Sequence, residues 1–180
     1  STTALAQHLG LTAASVTGMI KRLAGQGYVR HEPYRGVSLT PHGRRAALRT
    51  LRSHRLIEAY LVAFLGYDWD TVHEEAERLE HAVSPALIER MAQALGNPSV
   101  DPHGDPIPTA ELLLQSDEKV CLSDLQAGVM TVVRRVPDTD PELLRYLATL
   151  GLVPAEEVTI VDQAPFDGPV TVEVRGSRHA

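Results

Sequence analysis

Residues 12–39 read TAASVTGMIKRLAGQGYVRHEPYRGVSL, and the N-terminal architecture follows from this stretch. Thr12 offers a hydroxyl where a helix N-cap needs one. Val16, Met19, Ile20 and Leu23 then recur at helical spacing over 13–24. Gly25 and Gly27 break that helix. Two short β-prone runs, Tyr28-Val29 and Val37-Ser38-Leu39, flank a Pro/Gly tip at 31–36, which is the pattern of a hairpin. Upstream, 2–9 (TTALAQHL) sets Leu5, Ala6 and Leu9 on one helical face, and Gly10 ends it. Helix, tight turn, helix, hairpin is the order of a winged helix-turn-helix.

Downstream, Thr40-Pro41 opens a long helix over about 41–65, since Pro suits the first helical position. Gly66 closes it. Asp70 or Thr71 is expected to cap a helix over 71–83, and Ser84-Pro85 to open another over 85–95. Residues 97–109 (NPSVDPHGDPIPT) hold four prolines and a glycine and read as a linker. The last third changes period. Segments 128–136, 157–163 and 169–175 are rich in Val and Thr with β-like alternation, around a helical 140–150. Three or more short strands in so few residues fit a small barrel. The expected fold is mainly α with small β: a winged helix over 1–45, a helical domain over 46–97, a Pro-rich linker over 98–119 and an SH3-like barrel over 120–180.

Charge is distributed unevenly. The 180 residues carry a formal net charge of −6, which alone argues against nucleic acid. Residues 1–55 hold nine Lys/Arg and one acid, net +8, so the remainder holds eight and twenty-two, net −14. Two regions with opposite charge imply two tasks. A single cysteine, Cys121, excludes a disulfide framework or a thiolate-rich zinc site. No apolar run is long enough to span a membrane and no leader opens the chain, so a cytoplasmic protein without membrane contact is expected.

The basic region suits double-stranded DNA. Thr12, Ser15 and Thr17 lie at the N-terminal end of the second helix, where short polar side chains and backbone N–H groups meet phosphates. Lys21, Arg22, Arg30 and Arg35 extend that footprint along helix and wing. Ala14, Thr17 and Gly18 are left for the bases; being small, they favour contact with a thymine methyl over bidentate hydrogen bonding.

The acidic region suits a metal. On the helix 71–83, at about 100° per residue from His73, Glu77 falls near 40°, Glu80 near −20° and His81 near 80°. His54 and Glu58 are four residues apart on the preceding helix. Six N/O donors without thiolate suit Mn²⁺, Fe²⁺, Zn²⁺ or Co²⁺, and a six-coordinate ion such as Mn²⁺ best. Known enzyme patterns fail. His73-Glu74-Glu75-Ala76-Glu77 ends in Glu where a zincin motif needs His, and neither Glu77 nor Glu80 has a His three residues on. No Gly-rich phosphate loop or nucleophile elbow occurs, so an enzyme is not expected.

SVTGMIKRLAGQGYV (15–29), SHRLIEAYL (53–61), VHEEAERLEHAVS (72–84) and DPHGDPIP (101–108) together resemble the diphtheria toxin repressor family of iron- and manganese-dependent regulators. The resemblance covers nearly the whole chain. It implies a winged helix, a helical dimerisation domain with two metal sites, and a C-terminal SH3-like barrel. Glu77, Glu80 and His81 match the family's primary site. His54, Glu58 and His73 match the second, and barrel ligands correspond to Asp140 or Glu142. Iron-sensing relatives carry Cys at the position of Glu77 and manganese-sensing ones Glu, so the resemblance implies Mn²⁺, alternatively Fe²⁺. Zn²⁺, Co²⁺ or Cd²⁺ can enter such sites in vitro. The family's first helix, which donates a further primary ligand, is expected to precede Ser1.

The resemblance thus implies a homodimeric, metal-activated repressor of metal homeostasis that binds a palindromic operator. Two other readings stand beside it. One is a winged-helix regulator sensing an organic ligand, and the other a metal-dependent hydrolase.

Overall fold

The structure, a computed structural model, describes residues 2–32, 36–114, 120–166 and 168–180. It forms two compact units, residues 1–50 and 51–180.

In the first unit, α1 (Thr2–His8) and α2 (Ala13–Gly25) are joined by a turn through Gly10 at φ +63°. Thr12 caps α2: its Oγ1 accepts from the Ser15 N–H at 3.2 Å. β1 (Val29–Glu32) and β2 (Gly36–Leu39) pair antiparallel, with Val29 opposite Leu39. The core is small: Ala6, Val16, Ile20 and Val29, with Ala24 and Tyr28 against it. The helical period picks out Ala6, Val16 and Ile20 among these, but the Leu5, Leu9, Met19 and Leu23 it also picks out are exposed. The base of the hairpin is tied to the next helix, α3 (Pro41–Leu65). Thr40 Oγ1 donates to the Gly27 carbonyl at 2.6 Å and accepts from the Gly43 N–H at 3.0 Å. His42 stacks on Tyr28, with ring centroids 4.7 Å apart. Gly43 is obligatory, because a Cβ there would lie 1.9 Å from the Tyr28 carbonyl oxygen.

The second unit holds the remainder of α3, α4 (Val72–Glu80), α5 (Pro85–Ala94) and the C-terminal sheet. Leu56, Ile57, Leu61, Val72, Ala76, Ile88, Ala92 and Ile107 form one core. Full burial of such side chains contributes about 1.5–3 kcal/mol each. Ser84 caps α5 through the Leu87 N–H, as its Ser-Pro signature implies. α4 departs from expectation at both ends. Thr71 makes no side-chain cap, and Asp70 instead pairs with Arg145 at 2.8 Å. The helix ends at Glu80, so His81 is a C-cap and not a helical position. The Ser-Pro pair that starts α5 forces an extended residue before Pro85, and the chain must leave helix beforehand.

The C-terminal sheet has the order β3 (Met130–Val132), β4 (Glu157–Gln163), β5 (Val170–Val174), β6 (Ser177–His179), all antiparallel. α6 (Pro141–Leu150) precedes β4 and is capped by Asp140 and ended by Gly151 in the left-handed region. Val133, Val136, Leu144, Leu152, Val158, Ile160, Val172 and Val174 form its core. Strand β6 was not foreseen; its residues are polar and only three long.

The Pro-rich stretch is no free tether. Asp101, His103, Asp105 and Ile107 are buried, and Val100 bridges Pro106. Arg55 on α3 binds the Pro106 carbonyl and Asp105. Arg135 donates to the same Asp105 oxygen at 2.7 Å, and the Val136 N–H donates to the His103 carbonyl. Four prolines stiffen a turn as readily as a spacer, and here they stiffen a turn.

Candidate metal centre

α3 presents His54 and Glu58 one turn apart, and α4 brings His73 to meet them. Glu58 Oε1 lies 2.9 Å from His54 Nε2 and 3.0 Å from His73 Nδ1, and the two ring nitrogens are 3.1 Å apart. That triangle has a chemical meaning. Bonds of about 2.1 Å put neighbouring ligands of an octahedron about 3.0 Å apart, and those of a tetrahedron about 3.4 Å apart. The three atoms match one face of an octahedron, the two-histidine, one-carboxylate arrangement that suits Mn²⁺ or Fe²⁺. His54 Nδ1 sits 2.8 Å from Glu80 Oε2, which orients the ring from behind.

The electrostatics agree with a cation site. Glu58 is fully buried. Burial works to raise its pKa, but His54 and His73 outweigh it and hold the carboxyl below its ordinary range. Burial lowers the His54 pKa, but Glu58 and Glu80 outweigh that and raise it.

A second cluster shares Glu58. Its Oε2 faces His103, with Asp138 close by; one ligand atom from each of these three lies within 4.8 Å of the others. Glu58 Oε2, His103 Nδ1 and Asp101 Oδ2 are buried without any hydrogen-bond partner. His103 Nε2 donates to the Trp69 carbonyl at 2.7 Å, so the neutral ring keeps a lone pair on Nδ1, 3.9 Å from Glu58 Oε2. A lone pair aimed at a carboxylate in a dry interior is costly unless a cation stands between them. The donor set fits a divalent metal. Asp101 is buried, and burial pushes its carboxyl up to about 6. Its other oxygen accepts from the His103 and Asp105 N–H groups at 2.9 Å.

The remaining expected ligands fall elsewhere. Glu77 and His81 are 66% and 77% exposed; Glu77 lies 3.8 Å from His73 Nε2, and His81 Nε2 lies 3.3 Å from Glu80 Oε1. Asp140 caps α6 through the Glu142 and Leu143 N–H groups, and Glu142 is exposed. The barrel carboxylate near the buried ligands is Asp138, two residues earlier. His103 and Asp138 escaped the sequence reading. The DPHGDPIP motif was itself the signal for His103, but its prolines pointed to a linker.

Of the residues expected to contact DNA, Ala14, Ser15, Gly18, Lys21, Arg22 and Arg30 are exposed, as is the N-cap Thr12. Thr17 is half-buried, and its hydroxyl donates to the Ala13 carbonyl at 2.7 Å. Arg35 lies outside the described residues.

Comparison with known proteins bears on both surfaces. Residues 1–37 match the iron dependent repressor N-terminal DNA binding domain. Residues 40–109 match its metal binding and dimerisation domain, and 120–180 the FeoA domain. The iron-dependent repressor IdeR of Mycobacterium tuberculosis is 34% identical over 184 residues, covering 96% of this chain and 79% of that one. The diphtheria toxin repressor of Corynebacterium diphtheriae is 35% identical over 182 residues, with the same coverage. The chain belongs to the iron-dependent repressor family. Among solved structures, a manganese-dependent transcriptional repressor in complex with manganese superposes with a TM-score of 0.88 at 42% identity, covering 98% of this chain and 81% of that one. ScaR with bound Cd²⁺ gives 0.85 at 33% identity, covering 99% and 84%. As a member of the iron-dependent repressor family the protein is a metal-dependent, DNA-binding transcriptional regulator, not an enzyme. No helix among the described residues is long and apolar enough to cross a membrane.

Proposed function

We propose that this protein is a manganese-activated regulator, with Fe²⁺ as the alternative activator, which binds a palindromic operator as a homodimer. The observation carrying the choice of metal is the triangle of His54, Glu58 and His73 donors at 2.9–3.1 Å, with no thiolate near it. A similar solved structure, 42% identical, is that of a manganese-dependent repressor, and the family resemblance implies a hard carboxylate ligand at Glu77.

In this reading His54, Glu58 and His73 hold one ion. Glu58, His103 and Asp138 hold a second, with Asp101 beside it. Glu77, Glu80 and His81 are the activating ligands, Glu77 and His81 exposed and Glu80 turned inward onto His54. A bound divalent cation supplies charge that neutralises these carboxylates and draws α3 and α4 into one arrangement. The chain's own part is to keep Glu58 ionised, to aim His54 through Glu80, and to fix the His103 tautomer through the Trp69 carbonyl. The metal favours the arrangement in which its ligands converge, so DNA affinity and metal affinity rise together.

Residues 1–45 serve as the DNA-binding part, 46–97 as the metal-binding and dimerisation part, and 120–180 as the barrel. Thr12, Ser15, Lys21, Arg22, Arg30 and Arg35 would contact phosphates, and Ala14, Thr17 and Gly18 the bases. Gel-shift titration of operator DNA with Mn²⁺ and with chelator tests the reading. Binding that is equal in both overturns it. The organic-ligand alternative gains support only if Glu77→Ala combined with Glu80→Ala leaves regulation intact.

A further inference from the structure

A cleft of about 400 Å³ opens on the metal centre from one side. Its lining includes His73 and Asp138, which belong to the first and second clusters respectively. Around them stand Asp70 and Glu74 at the start of α4, with Thr71 and Thr139 at the rim. The innermost ligands lie behind this lining: Glu58 and His103 are at 0% exposure and His54 at 7%. His73 and Asp138 are the least buried members of their clusters, and this cleft is lined by both.

Size and charge fit that passage. Six waters occupy about 200 Å³ at about 30 Å³ each, so a hexahydrated ion fits the cleft with room to shed its shell. Asp70, Glu74 and Asp138 give the lining a negative field that concentrates cations. The cationic groups facing them are on the page as well. Arg145 holds Asp70 at 2.8 Å, and Arg78 reaches Glu74 at 3.4 Å. Arg145 fixes the Asp70 side chain, which is 9% exposed, as a wall of the cleft rather than a free ligand. Neither Thr71 nor Thr139 belongs to the donor set, and both are exposed, so the rim can be altered without touching a ligand.

We infer that this cleft is the loading port through which a hydrated divalent cation reaches and leaves the buried clusters, with Glu74 steering it and Thr71 and Thr139 setting the aperture. The inference rests on the metal-binding reading above. A port acts on rate and not on equilibrium: whatever narrows it must slow capture and release by one factor.

The test uses the full chain and Mn²⁺ alone. Capture is followed by rapid-mixing loss of the aqueous Mn²⁺ spin-resonance signal, and release by its return on adding chelator. Thr71→Trp and Thr139→Trp, made singly, are expected to slow both steps tenfold or more with Kd unchanged. Glu74→Gln is expected to slow capture several-fold at low salt, a difference that closes at high salt. Unchanged rates in both tryptophan variants, with wild-type binding intact, overturn the port and leave the metal reading standing. A Kd weakened through faster release also overturns the port, since it marks damage to the site. A wild-type chain that takes up no Mn²⁺ overturns both.

Discussion

Glu58 is the residue on which both clusters depend. One of its oxygens meets His54 and His73, and the other faces His103. Glu58→Gln keeps the shape and removes the charge. It is expected to weaken Mn²⁺ binding a hundredfold or more by calorimetry while the metal-free chain still folds; affinity within tenfold of wild type would contradict the shared-ligand geometry. Proton linkage gives a second prediction. His54 and Asp101 have raised pKa values in the metal-free fold, the latter about 6 against an ordinary 3.8. Stability from groups raised in this way is present below the ordinary pKa and lost as pH rises through the folded one. Glu58 is lowered, so its contribution is present above its ordinary 4.5 and lost below it. The chelated chain should therefore lose thermal stability as pH rises from about 4 through 6, where Asp101 ionises, and again above 6.5 as His54 gives up its proton. Mn²⁺ displaces the His54 proton, so the stabilisation it gives should grow over the upper interval. A chelated midpoint that climbs steadily with pH would refute the assignment. At this scale the sequence yielded His54, Glu58, His73 and Glu80 as neighbours. Asp138 had no local signal and His103 only the proline-rich motif around it, because their meeting with Glu58 depends on contacts across 80 and 45 positions, which no local period encodes.

Elements were more legible than residues, because periodicity and punctuation are local. Cap, apolar spacing and glycine stops defined α2 to within a residue at each end. The same signals overran α4, where Ser84-Pro85 set the next helix and cut this one at Glu80. Two glycines make a paired prediction. Gly43 is pressed against the Tyr28 carbonyl, whereas Gly18 on α2 faces open space. Gly43→Ala should destabilise the first unit by roughly 2–4 kcal/mol, through overpacking against a backbone that cannot yield. Gly18→Ala should stabilise it by about 0.5–1 kcal/mol from helix propensity. Chemical denaturation of the two variants distinguishes them, and equal effects would contradict the close approach at Gly43.

At the scale of the whole molecule, charge separates what composition averages. The +8 of residues 1–55 and the −14 of the rest are segregated along the chain. Four phosphate contacts per protomer in a dimer would give a log–log salt slope near −7, so operator affinity should fall about 10⁴-fold between 50 and 200 mM salt. Replacing Lys21 by Gln should weaken binding to all sequences alike and make the slope shallower by about two in the dimer. A change confined to one operator variant would instead assign Lys21 to base readout.

The chain contains one tryptophan, and its position matters. Trp69 stacks on His103, centroids 5.9 Å apart and planes within 23°, and it offers that ring its carbonyl while packing against the core of the C-terminal sheet. The sole indole fluorophore thus rests on a candidate ligand. A change of charge on the His103 ring alters the light this indole emits, so occupancy of the second cluster can be read by ultraviolet excitation of unlabelled protein, without a dye and without DNA.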